Sequence, residues 1–204
     1  MTPEELTPDQ WNARWARADT PWDMRQPSPP LVHWLARGEL PAGRRVFVPG
    51  CGSGHEVRLL AEAGFECVGA DFAPDAAAVA RQTIAGVSGA AIIQADVLAP
   101  PSVDPRFDWI FDQTFFCALH PDLRPRYAPA LRRWLATGGE LWAIVLRTDT
   151  FDRPPFDVTP EAYAELLRAA AFEIVETRAL QSESHPARRG RETLVRARLA
   201  RGTP

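Results

Sequence analysis

Cysteine is scarce in this sequence, with Cys51, Cys67 and Cys117 the only three in a chain of 204 residues. Their number is odd, no C-x-x-C pair occurs, and no histidine stands at ligand spacing from any of them. These absences exclude a disulfide framework and a structural zinc site. Because unpaired cysteines are typical of a reducing compartment, we expect a cytoplasmic protein without a bound metal.

Long apolar runs and a strong charge imbalance are missing as well. No apolar run approaches the roughly 18 residues of a membrane-spanning helix, and residues 1–5 lack the basic start of a secretory signal. The net charge of −3 gives no sign of a broad nucleic-acid or membrane surface. No dimerisation signature is evident. We therefore expect a monomer that binds a small-molecule substrate, with no nucleic-acid or membrane partner.

The stretch 45–71 organises what the sequence does contain. An apolar run leads into Gly50, Gly52 and Gly54, and a helical segment and a second apolar run then end at Asp71. This pattern predicts strand, glycine turn, helix, strand and acid. Glycines let a chain turn sharply after a strand and let a ligand approach the backbone, and the acid about 20 residues on is placed to bind a ribose diol.

The glycine spacing also narrows the nucleotide. His55 stands where a dinucleotide-binding fingerprint has its third glycine. That departure favours a nucleoside without a pyrophosphate, which is most often S-adenosylmethionine. A purely structural turn is the alternative interpretation, since such a turn needs one glycine.

Three predicted strands end in an aspartate: Asp71, Asp96 and Asp112. A single such aspartate is usually a helix cap or turn former. In parallel α/β sheets, however, ligands bind outside the carboxyl ends of the strands, where all three acids would meet. We expect Asp71 at the ribose hydroxyls, Asp96 at the adenine amino group and Asp112 near the methionine moiety.

Tryptophans gather before the first strand. Trp11 and Trp15 are four residues apart on a predicted helix, and Trp22 follows in a turn. Aromatic residues at helical spacing are most often core residues. Because this helix precedes the first strand, the other interpretation is a lid over a cleft.

Strand and helix patterns alternate from residue 45 onward and predict a doubly wound, mostly parallel sheet. The last two strands are expected to form an antiparallel hairpin at one edge. We expect a single domain over 1–204, with an N-terminal helical lid (1–44) and a Rossmann-like core (45–199). The predicted strands are 45–49, 65–70, 90–95, 107–111, 140–146, 172–179 and 193–199, and the predicted helices are 9–18, 28–38, 55–63, 74–84, 121–135 and 160–170.

The chain resembles the thiopurine methyltransferase superfamily, and within it the plant-type halide and thiol (thiocyanate) methyltransferases. The resemblance extends from Trp11 to Leu199. The motifs that carry it are Trp11-x3-Trp15, Thr20-Pro21-Trp22-Asp23, Val48-Pro49-Gly50-Cys51-Gly52-Ser53-Gly54-His55-Glu56, Phe107-Asp108-Trp109-Ile110-Phe111-Asp112, Phe115-Phe116-Cys117-Ala118, Pro154-Pro155-Phe156 and Arg188-x-Gly190-x-Glu192-x-Leu194.

The resemblance implies a seven-stranded class I methyltransferase fold that uses S-adenosylmethionine. It also implies that the three tryptophans close over this cofactor and that Asp96 and Val97 flank its adenine. Gln113 stands at a cofactor-contacting position that is often Tyr or Arg in the family. The expected cofactor-binding residues are Trp11, Trp15, Trp22, Gly50, Cys51, Gly52, Asp71, Phe72, Asp96, Val97, Asp112 and Gln113.

The four histidines are scattered, and none forms a convincing pair with an acid near the expected site. A thiolate, a halide or thiocyanate needs no strong general base, so this pattern favours transfer of a methyl group to a small soft nucleophile by in-line displacement. Such an anion would be desolvated by aromatic rings and attracted by arginines. The candidate pocket residues are Asp112, Phe115, Phe116, Arg147, Phe156 and Arg188.

Two other functions remain open from the sequence. A small-metabolite O- or N-methyltransferase could use the same scaffold, although it should need a base. A non-catalytic cofactor-binding module is the other, because fold does not fix function. Cys51 and Cys117 are interpreted as packing residues, since nothing in their surroundings would lower a thiol pKa.

Overall fold

The computed structural model describes residues 6–99 and 106–200. Within these ranges the helices are α1 (Pro8–Ala16), α2 (Pro29–Ala36), α3 (His55–Glu62), α4 (Pro74–Thr83), α5 (Arg124–Trp134) and α6 (Pro160–Ala169). The strands are β1 (Arg45–Pro49), β2 (Glu66–Asp71), β3 (Ala90–Gln94), β4 (Phe107–Gln113), β5 (Leu135–Leu146), β6 (Phe172–Ala179) and β7 (Glu192–Leu199).

The seven strands form one sheet in the order β3-β2-β1-β4-β5-β7-β6. The first five pair in parallel, and β7 runs antiparallel to both β5 and β6. Helices α3, α4 and α5 connect β1 to β2, β2 to β3 and β4 to β5, so these crossovers cover the faces of the sheet. The predicted doubly wound, mostly parallel sheet with an antiparallel edge hairpin is confirmed.

The junction of α5 and β5 differs from the prediction, which began the strand at Glu140. Pairing with β4 begins at Leu135 and then jumps from Phe107↔Leu135 to Trp109↔Glu140. Residues 136–139 therefore form an irregularity inside the strand. At Gly139 an added Cβ would lie 2.8 Å from the Asp108 carbonyl oxygen, so this close approach needs glycine.

Core side chains fill both faces of the sheet, and β4 contributes to each in turn. Ile110 belongs to the cluster under α5 and α6, where Phe47 and Trp134 stack with ring centroids 4.3 Å apart. Phe111 belongs to the cluster under α2 and α3. Because side chains alternate along a strand, the next residues, Asp112 and Gln113, also point to opposite faces.

Helix α1 lies on the outside of this core. Thr7 caps it by accepting a hydrogen bond from the Gln10 backbone N–H at 3.3 Å. Two hydrogen bonds between Asn12 and Asp75 (3.1 and 2.7 Å) attach it to the start of α4. None of its side chains is fully buried, so its tryptophans are not core residues.

None of the described helices is long and apolar enough to cross a membrane.

Helix α2 is held by Trp34, whose ring is 1% exposed and meets Trp142 edge to face at 5.3 Å. We predict that Trp34→Ala lowers the free energy of unfolding by about 3–5 kcal/mol, the usual cost of emptying such a site. Val32→Ala on the same helix is the control. Val32 is 43% exposed, so that change should cost less than about 0.5 kcal/mol. Urea denaturation measures both, and equal losses would contradict this role of Trp34.

Candidate active site

A cavity of about 400 Å³ lies at the carboxyl ends of the parallel strands, between the sheet edge and α1. Its volume falls in the range of small-molecule sites. Eleven of the residues proposed from the sequence line it: Trp11, Trp15, Trp22, Gly50, Gly52, Asp71, Phe72, Asp96, Val97, Phe115 and Arg188.

The glycine turn forms the floor of this cavity. Gly50, Gly52 and Gly54 have φ angles of 57°, 51° and 77°, in the left-handed region that side chains rarely adopt. A Cβ on Gly50 would lie 2.5 Å from Cδ2 of Phe115. The absence of that Cβ therefore lets the ring of Phe115 rest directly on the turn.

Asp71 is fixed beside the turn by two backbone amides. Its Oδ2 accepts from the Gly52 N–H at 3.1 Å and its Oδ1 from the Ala73 N–H at 3.0 Å. Burial raises the pKa of Asp71, and the backbone hydrogen bonds oppose that rise. Each carboxylate oxygen can accept a second hydrogen bond, so the group is oriented for a vicinal diol.

The neighbouring wall combines one acid with apolar groups. Asp96 Oδ1 accepts from the Leu98 N–H at 2.8 Å, and Val97 is 3% exposed. The Trp134 Nε1–H donates to the Val97 carbonyl oxygen at 3.1 Å and fixes the segment to α5. Phe72 and Leu98 complete this wall. It offers an apolar slot with an acceptor at its edge, which suits an adenine ring.

The roof is a cluster of indole rings. Trp22 meets Trp11 and Trp15 edge to face, with centroids 5.3 and 6.1 Å apart. The Arg14 guanidinium lies 4.3 Å from the centroid of Trp22. Trp15 lies over Gly52, where an added Cβ would be 3.6 Å from Cζ2. The tryptophans therefore cover the glycine turn from above.

Two hydrogen bonds fasten the turn after α1 to the rest of the molecule. The Ser53 hydroxyl donates to Asp23, and the Arg188 guanidinium donates to the Trp22 carbonyl oxygen at 3.2 Å. The first joins the roof to the glycine turn and the second joins it to the loop before β7.

The side chain of Asp112 lies elsewhere than predicted. It is 2% exposed and faces α5 and α6. In the described part of the chain it borders neither this cavity nor the adjoining polar compartment described below. It accepts from the Tyr127 hydroxyl at 2.5 Å and from the Phe115 N–H at 3.1 Å, and Tyr127 and Tyr163 share a hydrogen bond of 2.7 Å. Strand alternation is the reason: it sends Asp112 behind the wall, where it supports Phe115.

Three further candidate pocket residues do not border the cavity. Phe116 packs edge to face on Tyr127 at 4.7 Å, and Phe156 is 1% exposed. The Arg147 guanidinium pairs with Asp157 at 3.0 Å. The expectation that these residues border the pocket is therefore wrong for the described structure, because core packing and a local ion pair take their side chains.

Other lining residues were not proposed as site residues from the sequence. Arg14, Thr114, His120, Arg126, Leu119, Leu123, Leu146, Pro154 and Pro155 all border the cavity. For Arg14 a signal existed, since it is three residues after Trp11 and shares its helix face. Thr114 has a left-handed φ of 64° that no sequence pattern indicated.

Cysteine chemistry is not supported at this cavity. Cys117 lines it, but burial raises the pKa of its thiol to about 12, so a thiolate is rare near neutrality. Burial likewise raises the pKa of Cys51 well above its usual value. Both cysteines behave as packing residues, as the sequence indicated.

A second, polar compartment of about 70 Å³ adjoins the cavity. Cys51 and Gln113 line it. The Ser28 hydroxyl donates to Gln113 Oε1 at 2.9 Å, and the Ser28 N–H donates to Glu56 at the same distance. The compartment shares five lining residues with the cavity, namely Trp22, Gly50, Gly52, Thr114 and Arg188.

Comparison with known proteins relates this chain to a family. The family model of thiopurine S-methyltransferase matches residues 6–199. Thiocyanate methyltransferase 1 of Arabidopsis thaliana is 34% identical over 192 residues, which are 91% of this chain and 82% of that protein. Probable thiol methyltransferase 2 of the same plant is 32% identical over 169 residues, 81% of this chain and 74% of that protein.

A solved structure shares the fold at low sequence identity. The 1,6-didemethyltoxoflavin-N1-methyltransferase of Burkholderia thailandensis, solved with S-adenosylhomocysteine, superposes with a TM-score of 0.72 and 21% identity. The match covers 98% of this chain and 91% of that one.

The contact between Gly50 and Phe115 yields a prediction. Gly50→Ala should cost about 1–2 kcal/mol of stability for its left-handed backbone. It should also push Phe115 into the cavity and weaken S-adenosylhomocysteine binding about 10-fold or more, equivalent to about 1.4 kcal/mol. Gly86→Ala is the control, since Gly86 has a φ of 80° but no atom within 4 Å of an added Cβ. Calorimetric titration should show the affinity loss for Gly50→Ala alone, and equal affinities would refute it.

Asp112 predicts a pH dependence of stability. Burial raises its pKa to about 6, against partial opposition from the Tyr127 hydrogen bond. The folded protein therefore holds this proton more tightly than the unfolded chain, and the resulting stabilisation is lost as pH rises from about 4 through 6. The stability advantage of the wild type over Asp112→Asn should fall by about 2–3 kcal/mol over that window. Denaturation at pH 4 and pH 7 measures it; Asp9→Asn, at an exposed site, is the control. A pH-independent difference would contradict the assignment.

Proposed function

The chain belongs to the thiopurine S-methyltransferase family and is an S-adenosylmethionine-dependent methyltransferase, and we propose that its acceptor is a small, soft, anionic nucleophile such as a thiolate, thiocyanate or a halide. The observation that carries this proposal is the cavity lining. Arg126 borders a surface formed largely by apolar groups, beside Arg14 and Arg188, whose guanidinium groups also pair with Asp19 and Glu192. Guanidinium groups at an apolar wall attract an anion, and the wall removes its water.

The cofactor fits the residues that surround the cavity. When bound, S-adenosylmethionine supplies a methyl group on a positively charged sulfur. Asp71 is oriented to accept from the ribose hydroxyls, Asp96 to accept from the adenine amino group, and Trp15 and Trp22 to cover the nucleoside. The backbone at Gly50 and Gly52 would take the closest contact, because these residues carry no Cβ.

Positioning is the main task that this lining can perform. An already anionic acceptor loses no proton when it is methylated, so no general base is needed, and collinear placement in a dry pocket supplies most of the rate enhancement. Phe115 is held from behind by Asp112 and from below by Gly50. Its ring therefore offers a fixed apolar surface for the acceptor.

The names of relatives support the same class of acceptor. Two matched plant proteins have thiocyanate and thiol in their names. In both of these acceptors the atom that would take the methyl group is a polarisable sulfur. An O- or N-acceptor is the second candidate, favoured by one observation: His120 borders the cavity, where an imidazole is a possible general base.

We also propose that the enzyme is a cytoplasmic monomer. All three cysteines are free and buried, which suits a reducing compartment. The net charge of −3 supports a small-molecule acceptor over a nucleic acid.

The acceptor class has a direct assay. Purified enzyme with S-adenosylmethionine should release methyl thiocyanate, methyl iodide or methanethiol into the headspace when given thiocyanate, iodide or hydrosulfide. His120→Gln should retain the wild-type rate within about threefold, because an anionic acceptor needs no base. A phenol and a primary amine serve as comparison acceptors. Methylation of those two alone, abolished by His120→Gln, would replace this proposal with the O- or N-acceptor.

A further inference from the structure

Glu192 carries a buried carboxylate oxygen without a hydrogen bond. The residue begins β7, pairs with Leu146 at the end of β5, and is 3% exposed. Its Oε1 lies 3.6 Å from an Arg188 guanidinium nitrogen, whereas its Oε2 has no partner among the described residues. A buried charged oxygen left unpaired is costly. Glu192 is therefore placed to receive a donor that arrives with a ligand.

The position of Glu192 limits what that donor is. It lines the polar compartment and not the large cavity, while Asp71 and Asp96 line the large cavity and not the compartment. The two spaces meet at Gly50 and Thr114. An adenosine held by Asp71 and Asp96 would therefore lie in the cavity, and its 5′ substituent would extend past Gly50 into the compartment.

Among the acids that line the compartment, Glu192 is the one with a buried oxygen that has no hydrogen-bond partner among the described residues. Asp23 already binds the Ser53 hydroxyl and the Arg25 N–H, and its Oδ1 lies 3.4 Å from His55 Nε2, a histidine–acid contact that the sequence did not predict. Glu56 accepts from the Ser28 N–H, and burial raises the pKa of Glu56, which disfavours its charged form.

We propose that Glu192 is a cofactor-binding residue whose Oε2 accepts a hydrogen bond from the α-ammonium group at the methionyl end of S-adenosylmethionine. The compartment has room for a few water-sized groups, and it presents charges of both signs through Arg188 and Glu192. A zwitterionic α-amino acid terminus matches that arrangement. Arg188 is a positioning residue: it pairs with Glu192 and donates a hydrogen bond to the Trp22 carbonyl oxygen. This assignment concerns the cofactor and holds for any acceptor.

Two ligands and one conservative variant test the assignment. Glu192→Gln keeps the size of the side chain and removes its charge. Calorimetric titration should show S-adenosylhomocysteine binding weakened roughly 10- to 100-fold, as expected for a lost charged hydrogen bond. The affinity for 5′-methylthioadenosine, which lacks the amino acid terminus, should change less than twofold. Glu173→Gln, at an exposed position on β6, should leave both affinities unchanged.

Other outcomes would overturn the assignment. Equal losses for both ligands would mean that Glu192 supports the fold or the roof, and unchanged S-adenosylhomocysteine affinity would mean that the ammonium binds elsewhere. If Glu192→Gln does not fold, Glu192→Asp serves instead, because it keeps the charge and withdraws the carboxylate by one methylene group; the same ligand-selective loss is required. No acceptor is present in these titrations, so failure of the proposed acceptor class would leave them unaffected.

Discussion

The left-handed turn after β1 is the constraint on which the rest of the site depends. With Gly50 and Gly52 at φ angles of 57° and 51°, the chain bends beneath two aromatic side chains, Phe115 on one side and Trp15 on the other. The same turn places the Gly52 N–H where it donates a hydrogen bond to Asp71. One backbone conformation thereby sets the cavity floor, orients the Asp71 carboxylate and supports the roof.

Strand β4 places two adjacent polar side chains, Asp112 and Gln113, on opposite faces of the sheet. Asp112 faces α5 and α6, where Tyr127 and Tyr163 complete its hydrogen bonds, and it holds the amide of Phe115 from behind. Gln113 faces the opposite side and lines the polar compartment. Adjacent residues thus lie on opposite sides of the sheet: Asp112 supports the cavity wall through the Phe115 amide, and Gln113 borders the polar compartment.

Local patterns in the sequence predicted a large part of this arrangement. The glycine spacing, the acids at 71 and 96 and the tryptophans at helical spacing each depend on a few neighbouring residues. Gly50, Gly52, both acids and the tryptophans line the cavity. The sidedness of Phe116 and Phe156 depends on tertiary packing, which local periodicity does not encode. Arg147 was misassigned because its ion pair with Asp157 spans a loop. The start of β5 depends on a bulge of residues 136–139 against β4, and the burial of Glu192 depends on its pairing with β5. Local sequence patterns encode neither.

If the sheet edge and the N-terminal roof together form the S-adenosylmethionine site, ligand binding should protect both parts of the chain. Amide hydrogen exchange of the full chain with and without S-adenosylhomocysteine tests it most directly, because exchange reports local opening segment by segment. We predict that the ligand slows exchange both in the glycine turn, residues 50–54, and in α1 with the turn that follows it, residues 8–23. Slower exchange in the glycine turn with no change across residues 8–23 would contradict it.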